Sequence, residues 1–290
     1  MELQWPLILF TSLLACSAGL FASQADYALH GEGKKAQLPA LIVSVVLLAA
    51  AGIAVFFHLQ HWERIFNGFG HITSGITQEL IAIVAMVIVM VIYFVFLRRS
   101  EDGGSVPKWL GWLAVIIAFV LVMVCAHSYM MSARPTWTSV LQVRSLMGAA
   151  AAMGPALMAL ITEITDGECA YSGNANVIGQ VIGAVATIAF IAFMAFAVGS
   201  QTTVPYWFDP VSPTRDITAS TSLSPFAGDA LPYTVVAIVG SLVGVLSAFM
   251  GKKQGNWKLW GTVGVLGALI AAGALRCAMY VMGVSIYPFF

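Results

Sequence analysis

The sequence predicts an all-α integral membrane protein, an eight-transmembrane-helix bundle. Hydrophobic residues make up 60% of its 290 residues and only 9% are charged, whereas a soluble domain carries about 25% charged residues. The apolar residues form eight runs, and each is long enough to cross a hydrocarbon core, which takes about 20 helical residues. Short alternating strands, which a transmembrane barrel requires, are absent from the sequence pattern.

Each apolar run is predicted as a helix because backbone polar groups in lipid must pair within their own segment. Other residue types mark several boundaries between the runs. Basic residues follow the first run, lie at the end of the third and precede the fourth, and a stretch with several prolines precedes the seventh. In chain order the predicted spans cover about residues 5–24, 38–58, 76–98, 109–131, 139–163, 176–199, 232–250 and 258–283. The first is interpreted as a retained helix, because Met1 to Gln4 lacks the basic start of a cleaved signal peptide.

No connection is long enough to build an independent core, so we expect residues 1–290 to form a single membrane domain that acts as a subunit. The distribution of basic residues favours both termini on the outer side of the cytoplasmic membrane. In that orientation the inner side holds eight basic residues and the outer side four: Lys34, Lys35, Arg98, Arg99, Lys108, Lys252, Lys253 and Lys258 against Arg64, Arg134, Arg144 and Arg215.

The longest connection, about residues 200–231, lies outside in this orientation. It combines turn formers with an aromatic cluster, Tyr206-Trp207-Phe208. Two interpretations remain open from the sequence: a solvated loop, or a docking surface for an extrinsic partner in which exposed aromatic residues are anchors.

Cysteine and histidine spacing bears on cofactors. The four cysteines, Cys16, Cys125, Cys169 and Cys277, are scattered, which disfavours c-type haem and an iron–sulfur cluster in this chain. His127 and His58 form a conceivable pair for b-type haem, but only His127 lies clearly inside a predicted span. We therefore expect no haem, and the spacing of His61 and His71 predicts no metal site.

Titratable residues gather where the second and third predicted spans approach the outer surface. His58 stands at the last turn of an apolar helix, where an imidazole, a side chain suited to proton exchange at neutral pH, can face water or a polar cleft; an interfacial histidine without a role is the alternative. Glu79 begins a long uncharged run, so it is either a proton acceptor beside a ligand or a carboxylate stabilised by the helix N-terminus. Arg64 and Asn67 lie between them.

Two further segments return to the same side. Pro135 disfavours helix at Arg134 and predicts a turn, with Tyr129 and Trp137 suited to the headgroup level. Arg276 and Tyr280 are four residues apart and share a helix face. An unpaired arginine inside a span costs about 2.5–3.5 kcal/mol, so Arg276 should face the bundle and find a partner. Together these residues predict a polar pocket at the outer interface.

These motifs resemble the membrane-anchor subunit family of respiratory dimethyl sulfoxide reductase. His58-Leu59, Arg64 and Asn67, followed by Ser74 and Glu79, are similar to that family's HLGxPxRAxN signature with its serine and glutamate. Residues 134–138 resemble its RPAWN-type segment, and Arg276 with Tyr280 resembles its closing GRxxFY element. Departures from the pattern include Gln60 and Trp62, which replace the usual glycine and proline of the first motif, and Cys277 and Met279 in the last one.

The resemblance implies a haem-free, non-catalytic anchor that binds menaquinol near the outer face and carries the quinol-oxidation site. Its implied partners are a four-cluster iron–sulfur subunit and a molybdopterin catalytic subunit; membrane lipid surrounds it, and no nucleic acid is expected. His58 and Glu79 correspond to the family's quinol-site histidine and glutamate. We expect the supporting pocket to consist of Arg64, Asn67, Tyr129, Arg134, Trp137, Arg276 and Tyr280.

Two alternatives accompany this interpretation. A polysulfide-reductase-like quinone-reactive subunit would share the bundle and the kind of partner, and the terminal substrate would be decided by the catalytic partner. A secondary transporter is favoured by the eight helices and many glycines, but transporters tend to place ionisable groups near the midplane. Here such groups gather at one surface.

Overall fold

The computed structural model describes residues 3–58, 61, 71–132, 134–165, 172–198 and 224–283. Within these residues the structure is all-helical, without strands, and all eight helices are long and apolar enough to cross a membrane. The predicted fold class is confirmed to that extent. The helices are α1 Trp5–His30, α2 Gln37–Phe56, α3 Gly75–Arg99, α4 Lys108–Ser128, α5 Val140–Thr165, α6 Ser172–Val198, α7 Leu231–Gln254 and α8 Trp257–Met282.

The helices overlap the eight predicted segments, and α1 shows the largest difference at a helix end. It continues to His30, beyond the predicted end at residue 24, because it ends at a glycine. Gly31 adopts a left-handed conformation with φ 76° and caps the helix, donating its backbone N–H to Ala28 O. The predicted end was based on hydropathy, which indicates where a segment can contact lipid. The helix itself ends where a glycine adopts the left-handed conformation.

Helices α1, α5 and α8 form the buried centre of the bundle, and α2 and α3 expose most of their surface. Helix α1 packs against α2, α4 and α5; α5 also packs against α6 and α8, and α7 against α6 and α8. Exposed side chains of the outer helices are large and apolar, including Val46, Val91 and Leu246. This distribution suits a bundle surrounded by lipid.

Small residues let the central helices approach closely. A Cβ added to Gly19 of α1 would lie 2.2 Å from Ala150 O of α5, and one added to Gly179 of α6 would lie 2.1 Å from Ala151 O. Because lipid gives helices little hydrophobic reason to associate, such backbone approach and interhelical hydrogen bonds hold the bundle together. Gln180 of α6 contributes one such bond, from its amide nitrogen to Ala152 O at 3.0 Å.

The bundle has two ends, which we name by one residue each. The Glu79 end contains the N-termini of α1, α3, α5 and α7 and the C-termini of the other four helices. The opposite Lys34 end includes all eight basic residues that were predicted for the inner side.

An ion pair lies at the Lys34 end. Lys34 Nζ lies 2.7 Å from Asp102 Oδ2, and hydrogen bonds from Lys34, Ser105 and Gly104 lower the pKa of Asp102 below its ordinary value.

Candidate functional site

Glu79 lies one turn inside α3 and is bound to α4. The Ser128 hydroxyl contacts its carboxyl oxygen, and the Cys125 thiol is a second hydrogen-bond partner. The helices can meet here because α3 begins with a glycine: a Cβ added to Gly75 would lie 2.9 Å from Ser128 Cβ. Ser128 and Cys125 are three residues apart and therefore share a face of α4.

The hydroxyl of Ser128 stands between two acceptors. It lies 2.9 Å from Cys125 O and also contacts Glu79 Oε1. A serine hydroxyl has one proton to donate but two lone pairs that accept. Both contacts are fully satisfied when Glu79 carries a proton and donates it to Ser128, while Ser128 donates to Cys125 O. When Glu79 is charged, the Ser128 hydroxyl can donate to its carboxylate instead. The geometry therefore accommodates both the charged and the protonated carboxyl.

The connection between α4 and α5 closes the C-terminal end of α8. Thr136 Oγ1 donates to Met282 O at 2.9 Å, and Trp137 Nε1 donates to Met279 O at 2.7 Å. The last four carbonyls of a helix have no partner within the helix, so these side chains satisfy groups that would otherwise be buried and unpaired. Both donors are themselves buried.

Three aromatic rings and an arginine pack around this cap. Trp137 and Tyr280 meet edge to face with ring centroids 5.2 Å apart, and Tyr129 lies 6.5 Å from Trp137. The guanidinium carbon of Arg134 lies 4.3 Å from the Trp137 ring centroid, which is cation–π geometry. Partial burial lowers the pKa of Arg134, and Tyr280 acts in the opposite direction. The Tyr280 hydroxyl is buried without a well-formed hydrogen bond, although Tyr129 lies beside it.

Arg276 is buried at 3% exposure and faces the bundle interior, as the sequence predicts. Its Nη2 donates to Ser145 Oγ at 3.1 Å, and Nη1 lies 3.3 Å from Met279 Sδ. Arg276 therefore faces the bundle and has partners there, as the cost of a buried charge predicted. These described partners are neutral, so neither of them offsets the positive charge. Arg276 also lies within electrostatic range of Tyr129, Cys125 and Tyr280.

Tyr129 connects the two parts of this region. It lies within electrostatic range of Glu79 and Cys125 on one side and of Tyr280 and Arg276 on the other. The structure thus brings together six of the nine predicted site residues: Glu79, Tyr129, Arg134, Trp137, Arg276 and Tyr280. Sequence reasoning missed Ser128, Cys125 and Ser145, which hold the two ionisable groups.

Of the remaining three predicted site residues, the structure describes His58 alone. His58 is exposed just beyond α2, with its backbone N–H bonded to Val55 O at 3.0 Å. It shares the Glu79 end, but no described contact joins it to Glu79. Arg64 and Asn67 lie outside the described residues, as do Cys169 and residues 200–223 of the 200–231 loop, which include its aromatic cluster.

Fold and site together define a multi-pass membrane protein with a carboxyl, an aromatic cluster and a buried arginine at one end. Comparison with protein families gives a match to the DMSO reductase anchor subunit (DmsC) over residues 1–198. The chain belongs to this family. No curated protein gave a significant match.

The family match covers α1 to α6 and so includes Glu79, Ser128 and Trp137. It stops before α7 and before α8, and α8 supplies both Arg276 and Tyr280. Membership makes the chain a membrane-anchor subunit and implies association with the catalytic and iron–sulfur subunits of a DMSO reductase.

Proposed function

We propose that this anchor subunit oxidises menaquinol at the Glu79 end and passes the electrons to an iron–sulfur subunit of a molybdopterin respiratory reductase. The observation that supports the proposal best is the Glu79 carboxyl held by Ser128 and Cys125 beside Tyr129. It combines a proton-accepting group with aromatic surface at the boundary of a membrane bundle. Quinols have a polar ring that reacts at such a boundary and an apolar tail that stays in lipid.

Quinol oxidation releases two protons and two electrons, so the site needs bases within hydrogen-bond reach of the ring hydroxyls. His58 is the first base in this proposal, since it is exposed at the same end. Glu79 receives the second proton, and Ser128 offers its carboxyl a partner in either protonation state. Tyr129 and Trp137 provide apolar contact for the quinol ring.

The cations of the cluster have a distinct task in this scheme. Arg134, packed over Trp137, and Arg276, within electrostatic range of Tyr129 and Tyr280, contribute positive charge beside the aromatic rings that would contact the quinol. Positive charge favours the ionised form of a nearby acid, so in this scheme the arginines favour loss of the quinol protons. Arg64 and Asn67 complete the proposed pocket from the segment between α2 and α3.

The proposed orientation in the membrane follows from the unequal distribution of basic residues between the two ends of the bundle. We infer that the Glu79 end and both termini face the outer side of the cytoplasmic membrane, because the Lys34 end has the majority of basic residues. Protons from the quinol then leave outside. A four-cluster iron–sulfur subunit and a molybdopterin subunit dock on the outer face, and residues 1–290 act as one membrane domain. The chain itself holds no haem or iron–sulfur cluster in this proposal.

The test compares quinol-dependent turnover of the intact complex with turnover driven by an artificial reductant that feeds the iron–sulfur subunit directly. We expect His58→Ala and Glu79→Gln each to lower quinol-dependent turnover at least a hundredfold while the artificial reaction is unchanged. Ser128→Ala should lower it about ten- to a hundredfold, because a hydrogen bond to a charged group contributes about 1.5–3 kcal/mol.

Asp102→Asn is the matched control, since it alters a carboxylate at the opposite end of the bundle. It should leave both reactions at the wild-type rate. Normal menaquinol turnover in both His58→Ala and Glu79→Gln would exclude this site. Equal loss of both reactions would instead indicate failed assembly, which the quantity of each subunit in the purified complex reveals.

A further inference from the structure

A long groove runs along the membrane-facing side of the bundle, away from the Glu79 cluster. Its volume is about 820 Å³, within the roughly 300–1,000 Å³ of ligand pockets. The floor consists of α1 and α5, and α4 and α6 form the walls. Exposed apolar side chains, Phe119 on α4 and Ile178, Ile182 and Val185 on α6, stand along the rims.

The groove is almost entirely apolar. Among the described side chains that line it, Ser23 and Arg144 alone are polar, and the Ser23 hydroxyl is already bonded to Gly19 O at 2.9 Å. The floor is made of small residues, including Gly148 and Ala151. An occupant would therefore contact methyl and methylene groups over nearly its whole length.

Arg144 marks one end of the groove. It lies in the second turn of α5, near the Glu79 end, and is exposed. No ion pair or hydrogen bond of its guanidinium occurs within the described residues, and no acidic side chain lines the groove. Long arginine side chains reach from the apolar zone to the interface. An anion at headgroup level is the complementary partner for this charge.

The dimensions restrict what can lie in the groove. Along α5, Arg144 to Pro155 spans about 16 Å at 1.5 Å per residue, close to the roughly 15 Å depth of one leaflet. A transmembrane helix has to cross both leaflets, about 30 Å, and would extend well beyond a groove of this length, whereas a single acyl chain fits one leaflet.

We propose that this groove binds a phospholipid with an anionic headgroup, whose phosphate pairs with Arg144 and whose acyl chain lies along α5 between α4 and α6. Basic pockets between transmembrane helices bind anionic headgroups on the cytoplasmic side of membranes, and a phosphate at the outer headgroup level offers Arg144 the same charge pairing. The proposal is independent of quinol oxidation, because no residue of the Glu79 cluster lines the groove. A quinone has no charged headgroup to match Arg144.

The experiment uses the intact complex purified in neutral detergent, with equal amounts of phosphatidylglycerol and phosphatidylcholine added, and native mass spectrometry to identify retained lipid. We expect about one phosphatidylglycerol per complex, in at least fivefold preference over phosphatidylcholine. Equal retention of the two lipids, retention of neither, or retention of a quinone in their place would overturn the proposal. This competition requires no variant and does not depend on folding of a mutant.

Variants then locate the site. Arg144→Gln should lower phosphatidylglycerol retention at least fivefold, Arg144→Lys should preserve most of it, and Ala151→Leu should lower it by filling the groove. Arg99→Gln is the matched control, because Arg99 is an exposed arginine at the Lys34 end, and it should retain lipid as wild type does. Wild-type retention in assembled Arg144→Gln complex would contradict the site.

Discussion

At the scale of single residues, the ionisable groups of the site depend on neutral neighbours. Arg276 is buried against Ser145 and Met279, and Glu79 is held by Ser128 and Cys125. A buried charge is expensive unless hydrogen bonds replace the water it loses. These four neighbours supply those contacts without fixing either charge in a permanent ion pair, which leaves Glu79 free to change protonation state.

Trp137 offers a test of how the connection between α4 and α5 stabilises α8. Trp137→Phe keeps an aromatic ring near Tyr280 but removes the donor to Met279 O, so we expect a loss of about 1–3 kcal/mol, the cost of an unsatisfied buried acceptor. Trp137→Ala also removes the ring and should cost about 3–5 kcal/mol. The measurement is the midpoint of thermal unfolding in detergent.

Trp112→Phe is the control for this series. Trp112 is 59% exposed on α4, so its substitution should leave the midpoint unchanged. If Trp137→Phe unfolds at the wild-type temperature as well, the indole hydrogen bond does not stabilise the end of α8.

The sequence predicts the ionisable residues of the site better than their partners. Charges and aromatic residues at a membrane boundary are rare enough to be noticed, which is how Glu79 and Arg276 were found. Ser128 and Ser145 are common residue types in helices, and only packing shows that they face those charges. The spacing of Cys125 and Ser128 by three was the available signal, but it acquires meaning once α3 is known to pack against that face.

At the scale of helices, the contact between α5 and α6 depends on Gly179, because a glycine has no side chain to hold the two backbones apart. Pro155 has no N–H, so Ala151 O lacks the usual donor four residues later. Gly179 lies against this carbonyl, with a Cβ position only 2.1 Å away, and Asn176 donates to Pro155 O at 3.2 Å. The kink-prone turn of α5 is thus supported by neighbouring residues of α6.

Gly179→Ala should separate these helices. The new methyl group would collide with backbone rather than with a movable side chain, so we expect destabilisation by about 1–3 kcal/mol and a lower yield of assembled complex. Gly52→Ala is the contrasting variant, since a Cβ there meets nothing within 4 Å. It should be neutral or stabilise α2 by up to about 1 kcal/mol. The two unfolding midpoints provide the comparison, and equal midpoints would argue against close packing at Gly179.

Helix number and order were predictable because length and hydropathy determine which segments can cross a membrane. Helix packing was not, because lipid-facing and protein-facing residues in such a bundle are both apolar. The groove beside Arg144 illustrates this limit. Its lining is drawn from four helices, and nothing in the local sequence distinguishes those alanines from the ones packed in the centre.

At the scale of the whole molecule, orientation determines on which side of the membrane the proposed quinol oxidation would release its protons. At the Glu79 end the described lysine and arginine residues are Arg134, Arg144 and the buried Arg276, while all eight of the inner set lie at the Lys34 end, including Lys34 and Arg99. Lysine and arginine are retained on the cytoplasmic side during insertion. We therefore expect the Glu79 end to face outward.

Cysteine labelling tests this orientation in cells that express the chain without its extrinsic partners, which could otherwise cover the outer face. The background is Cys169→Ser, and the other three cysteines are buried. Ile72→Cys should react with a membrane-impermeant maleimide in intact cells, because Ile72 is 68% exposed at the Glu79 end. Glu101→Cys, exposed at the Lys34 end, should react only after permeabilisation. The reverse pattern would place quinol protons on the cytoplasmic side and remove any contribution of this site to a proton gradient.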